Sequence, residues 1–241
     1  MSESKYFKFS SALLIAPLFS VLMIWSVFWF EVTFGVSFNE YGIYPRTLLG
    51  LRGVLFSPFI HASVEHLYNN TIPLAVLTLV LVFFYRSKAL SVFFLGLVFS
   101  GLLTWIIARQ SYHIGASGII YVLASFVFFK GVFTKYYRLI ALSLAIVFIY
   151  GSMLWYIFPV EEGISWEGHL SGFITGLLLA KFLKIEVPKP KKYIWEEEGY
   201  NEEEDEFLKH FDKDGNFISP PPQKEEEIKV IYHFKDKDPN D

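Results

Sequence analysis

The chain has 241 residues, of which 53% are hydrophobic, 19% aromatic and only 19% charged, a composition too apolar for an ordinary soluble domain and typical of a polytopic membrane protein. It contains no cysteine, which excludes disulfides, thiolate metal sites and cysteine nucleophiles, so any covalent catalysis falls first to serine. The net charge of −3 conceals an asymmetry: residues 1–192 carry 15 Lys and Arg against 8 Asp and Glu, whereas residues 193–241 carry 6 against 16.

Six apolar segments approach the roughly 20 residues a helix needs to cross a bilayer: 10–30, 66–85, 89–108, 115–129, 136–158 and 168–183. The fourth and sixth are short, as helices that end inside a protein cavity are. The first follows Lys5 and Lys8, but its apolar core is too long for a signal peptide and runs into Phe28, Trp29, Phe30 and Glu31 with no small-residue cleavage pattern, so it reads as a retained anchor. Placing the N-terminus inside puts 12 of the 15 Lys and Arg on the cytoplasmic side and leaves Arg46, Arg52 and Arg109 outside, which favours six crossings with both termini cytoplasmic.

The first external loop, residues 31–65, is long and carries an amphipathic pattern around 48–60 that suits a segment lying along the interface. The loop 159–167 is short, acidic and glycine-containing, suited to a flexible cover, and its Glu161, Glu162 and Glu167 read as solvated charges. The division expected is therefore a membrane domain over 1–192 and an acidic, flexible, cytoplasmic tail over 193–241, with a short run at 228–234 that can form a strand.

Three clusters carry residues capable of chemistry. In GASG, Gly115 and Gly118 flank Ser117; glycines are costly inside helices, so either an irregular entry to the fourth helix or a close backbone approach explains them. A helix start there would offer free N–H groups to a negatively charged oxygen, although small residues alone more often mean packing. In GHLSGFITG, Gly168, Gly172 and Gly176 form a smooth stripe with His169 beside it. If the facing helix is the fourth, Ser117 and His169 pair as nucleophile and base; a lone histidine is otherwise best read as satisfied by a carbonyl. In HASVEHLYNN, His66 and Asn70 share a helix face and present donors suited to an oxyanion, with His61 nearby. As a zinc site this cluster lacks the glutamate of HExxH and a third ligand, and DKDGN in the tail is too short for an EF-hand, so no metal and no cofactor is expected.

With these motifs in order, the first 185 or so residues resemble the rhomboid family of intramembrane serine proteases: a histidine then HxxxN in the second helix, GxSG with a downstream tyrosine in the fourth, and HxxGxxxG in the sixth. The resemblance implies a six-helix rhomboid-like bundle in which Ser117 is the nucleophile and His169 the base. His66, Asn70 and the Ser117 N–H would bind the oxyanion, Tyr121 would pack against the imidazole, and His61 would shape the first loop and its cavity. It also implies single-span transmembrane proteins as substrates, entry between the second and fifth helices, and a site open to the outside of a bacterial inner membrane; nothing points to nucleic acid. Leu51 and Arg52 stand nearest to the Trp-Arg pair many members carry, a departure that affects the first loop rather than the dyad. Two other functions compete with this one: a non-catalytic rhomboid-like binder of transmembrane helices, whose relatives usually lack the serine or histidine, and a small transporter or channel, for which the sequence shows no convincing internal repeat.

Overall fold

The computed structural model describes residues 10–186 and 193–218. Among them the regular structure is entirely helical, with no strand, in seven α-helices: α1 Ala12–Phe34, α2 Gly53–Phe56, α3 Val64–Phe84, α4 Ala89–Ile107, α5 Ser117–Thr134, α6 Tyr137–Tyr150 and α7 Trp166–Phe182. The chain is thus an all-α, multi-pass integral membrane protein. The count of six spans is not exact. Among the described residues five stretches are long and apolar enough to cross a membrane, namely α1, α3, α4 with the turn before it, α5, and α6 together with the 3₁₀ turn Gly151–Ile157 that continues it. The sixth segment, α7, has 17 residues. It rises about 26 Å, less than the roughly 30 Å of a hydrocarbon core.

α5 lies at the centre, packed against α3, α4, α6 and α7. Its Val122, Leu123, Phe126 and Val127 are fully buried, whereas α1 and α6 leave most of their apolar side chains exposed, as helices covered by acyl chains do. Because lipid tails are as apolar as leucine, such helices are held by close packing and hydrogen bonds rather than by expulsion of water. The α5–α7 contact shows both. A Cβ added to Gly176 would come 2.8 Å from Ser125 Cβ and 2.9 Å from the Phe126 nitrogen, so the backbones meet directly, and Ser125 Oγ donates to Phe173 O at 2.7 Å. Lys130, buried at the far end of α5, donates to the carbonyls of Ala180 and Leu183 and so caps the C-terminus of α7, where a cation is favoured. Ser143 Oγ ties α6 to Phe128 O of α5 at 2.8 Å.

The first external loop is built from short turns: 3₁₀ pieces at Asn39–Tyr41, Leu49–Arg52 and Ser57–Phe59 around α2. Its expected two-faced character is present, with Leu48, Leu49, Leu55 and Phe56 exposed and Val54 and Ile60 buried. Arg52 stacks over Tyr41 at 4.3 Å and donates to Glu40 O at 2.9 Å. Arg46, in a left-handed conformation at φ 59°, donates to Ile106 O and Ala108 O and caps the end of α4. Ile43 bridges to His113, which fastens the loop to the connection before α5.

The described residues of a second compact unit, Pro190–Asp241, are 193–218. Over 193–218 it consists of 3₁₀ turns and one bridge, Phe211 to Phe217, closed around Gly215. The candidate strand at 228–234 lies outside the described residues.

Candidate active site

Three local devices bring the polar side chains to one end of the bundle. Ser63, in extended conformation, caps α3 by accepting the His66 N–H on Oγ at 3.1 Å, so α3 starts at Val64 with His66 in its first turn and Asn70 a turn later. Gly115, at φ +105°, turns the chain into α5, which begins at Ser117. A Cβ at Gly115 would come 2.7 Å from His66 Nε2 and 3.6 Å from Asn70 Nδ2, so only glycine lets this turn lie against the α3 pair. The turn is held by Gly115 N donating to Ser57 O at 2.9 Å and Ala116 N donating to His61 Nε2 at 3.4 Å.

On the other side, α7 presents His169. Of the three glycines in its stripe, Gly172 meets the Gly118 carbonyl and Tyr121 Cβ, and Gly176 meets the next turn of α5; Gly168 instead faces Ser165 and Thr104. This crossing sets the head of α5 against the head of α7. The His169 ring stacks on Tyr121, one turn past Ser117, with centroids 4.3 Å apart and planes 12° apart. Its Nδ1 lies 2.9 Å from Tyr156 O, and Tyr121 Oη donates to Met153 O at 2.6 Å, so the 3₁₀ turn Gly151–Ile157 holds both rings. A carbonyl can only accept. Nδ1 therefore carries the proton, and Nε2 is left with the lone pair a general base needs. Among the described residues no hydrogen bond joins Ser117 to His169.

Three further features suit a reaction that develops negative charge. The first N–H groups of α5, beginning with that of Ser117, have no partner within the helix. Asn70 is buried, yet its Nδ2 has no hydrogen-bond partner. Behind half-buried Ser117 lies a cavity of about 40 Å³ whose polar lining is Ser57, Ser100, Thr104, His113 and Ser165, larger than the roughly 10–15 Å³ a single water occupies. His61, 2% exposed, packs edge-on against His66 at 5.0 Å, and burial, with the neighbouring His66 adding to it, pushes its pKa down from 6.5 to about 4 despite a hydrogen bond to Phe59 O. His113 is also held below the ordinary histidine value, chiefly by burial. Among the described residues no group of three His, Cys, Asp or Glu could hold a metal ion.

The reading of Glu167 as a solvated charge is overturned. Glu161 and Glu162 are exposed, but Glu167 sits in the first turn of α7, 2% exposed, and pairs with Arg109 at 3.2 Å. Sequence reasoning also missed His113, Ser165 and the Tyr156 carbonyl. The complementary charges of Arg109 and Glu167 were visible, but 58 residues separate them, and a backbone acceptor leaves no mark in a sequence.

A bundle of apolar helices that buries a serine turn, a stacked histidine and an unpartnered amide defines a polytopic membrane protein with a polar site at one end of its spans. The chain belongs to the rhomboid family: the model of the Rhomboid domain matches residues 50–185, which contain every residue of this site. It is similar to uncharacterized proteins of Mycobacterium bovis and Mycobacterium tuberculosis, each 35% identical over 158 residues that span 62% of this chain and 66% of theirs. A protein of Mycobacterium leprae is 34% identical over 142 residues, 55% of this chain and 56% of its own length.

Proposed function

We propose that the chain is an intramembrane serine endopeptidase that cuts transmembrane segments of single-span membrane proteins. The observation that carries this reading is the stack of His169 on Tyr121 one turn below Ser117, with the imidazole proton committed to Tyr156 O and its lone pair free. In the proposed cycle Ser117 Oγ attacks the scissile carbonyl carbon while His169 Nε2 takes the hydroxyl proton. The carbonyl oxygen, now an anion, is bound by the Ser117 N–H, Asn70 Nδ2 and His66. The C–N bond then breaks, the imidazolium gives its proton to the leaving amine, and an acyl-Ser117 ester remains. A water, for which the cavity beside Ser117 has room, gives one proton to His169 and its OH to the acyl carbon; the C–Oγ bond then breaks, His169 returns that proton to Ser117 Oγ, and a carboxylic acid leaves.

A helical substrate hides its carbonyls in i to i−4 hydrogen bonds, so cleavage requires a segment that unwinds near the membrane surface. The sparsely buried α6 and the exposed stretch 158–163 are the part of the bundle best suited to move aside for it. The charge distribution supports cytoplasmic termini and a site opening outward, and the mycobacterial relatives support a bacterial inner membrane.

The test is cleavage of a single-span reporter by the purified full chain in liposomes. Wild type yields two fragments, and Ser117→Ala and His169→Ala, folded as judged by thermal unfolding, yield none. Cleavage that persists in Ser117→Ala would contradict the reading, and a wild type that binds the reporter without cutting it would indicate a helix binder instead.

A further inference from the structure

Outside the proposed dyad, a set of hydrogen bonds joins residues 109–113, which lead from α4 into the Ser117 turn, to residues 164–167, which lead into α7. Arg109 donates its backbone N–H to Glu167 Oε1 at 3.2 Å, its Nη1 to Oε1 and Oε2 at 3.3 and 3.2 Å, and its Nη2 to Ile164 O at 2.7 Å. His113 lies across the same junction, with Nδ1 2.6 Å from Ser165 Oγ and Nε2 2.9 Å from Arg109 O. Glu167 is buried, its backbone carbonyl accepting from Ser171 Oγ at 2.7 Å, whereas the Arg109 side chain is 46% exposed. An ion pair with one partner so exposed gains little Coulomb energy in water. The significance of these contacts is therefore geometric.

The geometry needs such a constraint. Near Ser117 the contact of α5 with α7 is backbone on backbone, Gly172 against the Gly118 carbonyl, whereas the hydrogen bonds that tie the two helices, from Ser125 to Phe173 O and from Lys130 to Ala180 O and Leu183 O, lie farther along the bundle. A small axial slip would move His169 relative to Ser117, and a displacement near 1 Å costs a reaction on the order of 100-fold. Arg109 stands eight residues before Ser117 and Glu167 two before His169, so a rigid link between them fixes that register at the end of the bundle where the two residues lie. We infer that Arg109 and Glu167 are positioning residues that lock α7 against the connection carrying Ser117 and hold the two at catalytic spacing; the inference rests on the protease reading.

The experiment compares the full-length wild type, Arg109→Met, Glu167→Met, the double methionine variant, Arg109→Lys and Glu167→Gln in liposomes. Each is measured for kcat and KM on a single-span reporter, for the rate of fluorophosphonate labelling at Ser117, and for its thermal midpoint. Arg109→Met strands the buried Glu167 charge and Glu167→Met the Arg109 backbone donor, so each midpoint falls; the double variant removes the buried charge and recovers part of the midpoint lost in Arg109→Met, the Arg109 N–H and Ile164 O staying unpaired. A positioning role predicts that the double variant nevertheless keeps kcat and labelling rate depressed on the order of 10- to 100-fold, with KM within about twofold of wild type. Arg109→Lys and Glu167→Gln, which keep part of the bonding, fall between and remain informative if the methionine variants do not fold. A double variant that regains wild-type kcat as its midpoint recovers, or conservative variants with unchanged kcat, would overturn the inference. A wild type that shows no Ser117-dependent labelling defeats the protease reading itself, a result separate from either of these.

Discussion

Asn70 buries an amide donor without a partner, a cost of roughly 1–3 kcal/mol that packing alone does not repay. Thr78 and Tyr85 share that property elsewhere in the bundle, so the meaning of Asn70 comes from its place, beside the Gly115 turn and the free N–H groups that open α5. Truncation by Asn70→Ala should lower kcat on the order of 100- to 1000-fold while leaving the thermal midpoint equal to or above that of wild type. A wild-type kcat in that variant would remove Asn70 from the oxyanion site. His61 gives a prediction of opposite kind, about stability. Its pKa, about 4 in the fold against 6.5 in the unfolded chain, means that the unfolded state takes up a proton first as the pH falls. The stabilisation is complete above 6.5 and is lost between 6.5 and 4, a loss on the order of 3 kcal/mol. The thermal midpoint should drop across that window, and His61→Gln, which cannot titrate, should drop by less; equal drops would mean that His61 is not the group responsible.

Among the elements, α5 and α7 carry the decisive contact, and here the sequence was most legible. The spacing of Gly168, Gly172 and Gly176 announced a smooth face, and the structure sets two of the three against α5. Gly172→Val should introduce overpacking worth roughly 1–3 kcal/mol and separate the helices at the level of Tyr121 and His169, lowering both the thermal midpoint and the labelling rate at Ser117. An unchanged labelling rate would show that the site tolerates a wider crossing. Other features could not be read from a linear pattern. The fifth apolar run, read as 136–158, is a helix only to Tyr150 and tightens into a 3₁₀ turn from Gly151, where Gly and Ser weaken the α-helix. That turn supplies the two carbonyls that hold Tyr121 and His169. Hydropathy sees only that the run is apolar. The Arg109–Glu167 link was hidden for a related reason, since an acidic residue beside a loop looks solvated until the helix entering from that loop is known to bury it.

At the scale of the whole molecule, an all-α bundle was legible from apolar run lengths alone, and its family from three motifs in order, because membrane spans leave few alternatives to a helix. The exact number of full-length spans was not, because α7 is shorter than a bilayer is thick. The site proposed here lies wholly within the first unit, Met1–Lys189, which in sequence precedes the strongly acidic one. The central claim is that this domain activates Ser117 through His169. The most direct measurement is labelling of the purified full chain by a fluorophosphonate probe, with Ser117→Ala and His169→Ala alongside. The account predicts stoichiometric labelling of wild type that disappears in both variants. A folded wild type that takes no label, or a His169→Ala variant that labels as fast as wild type, would contradict it.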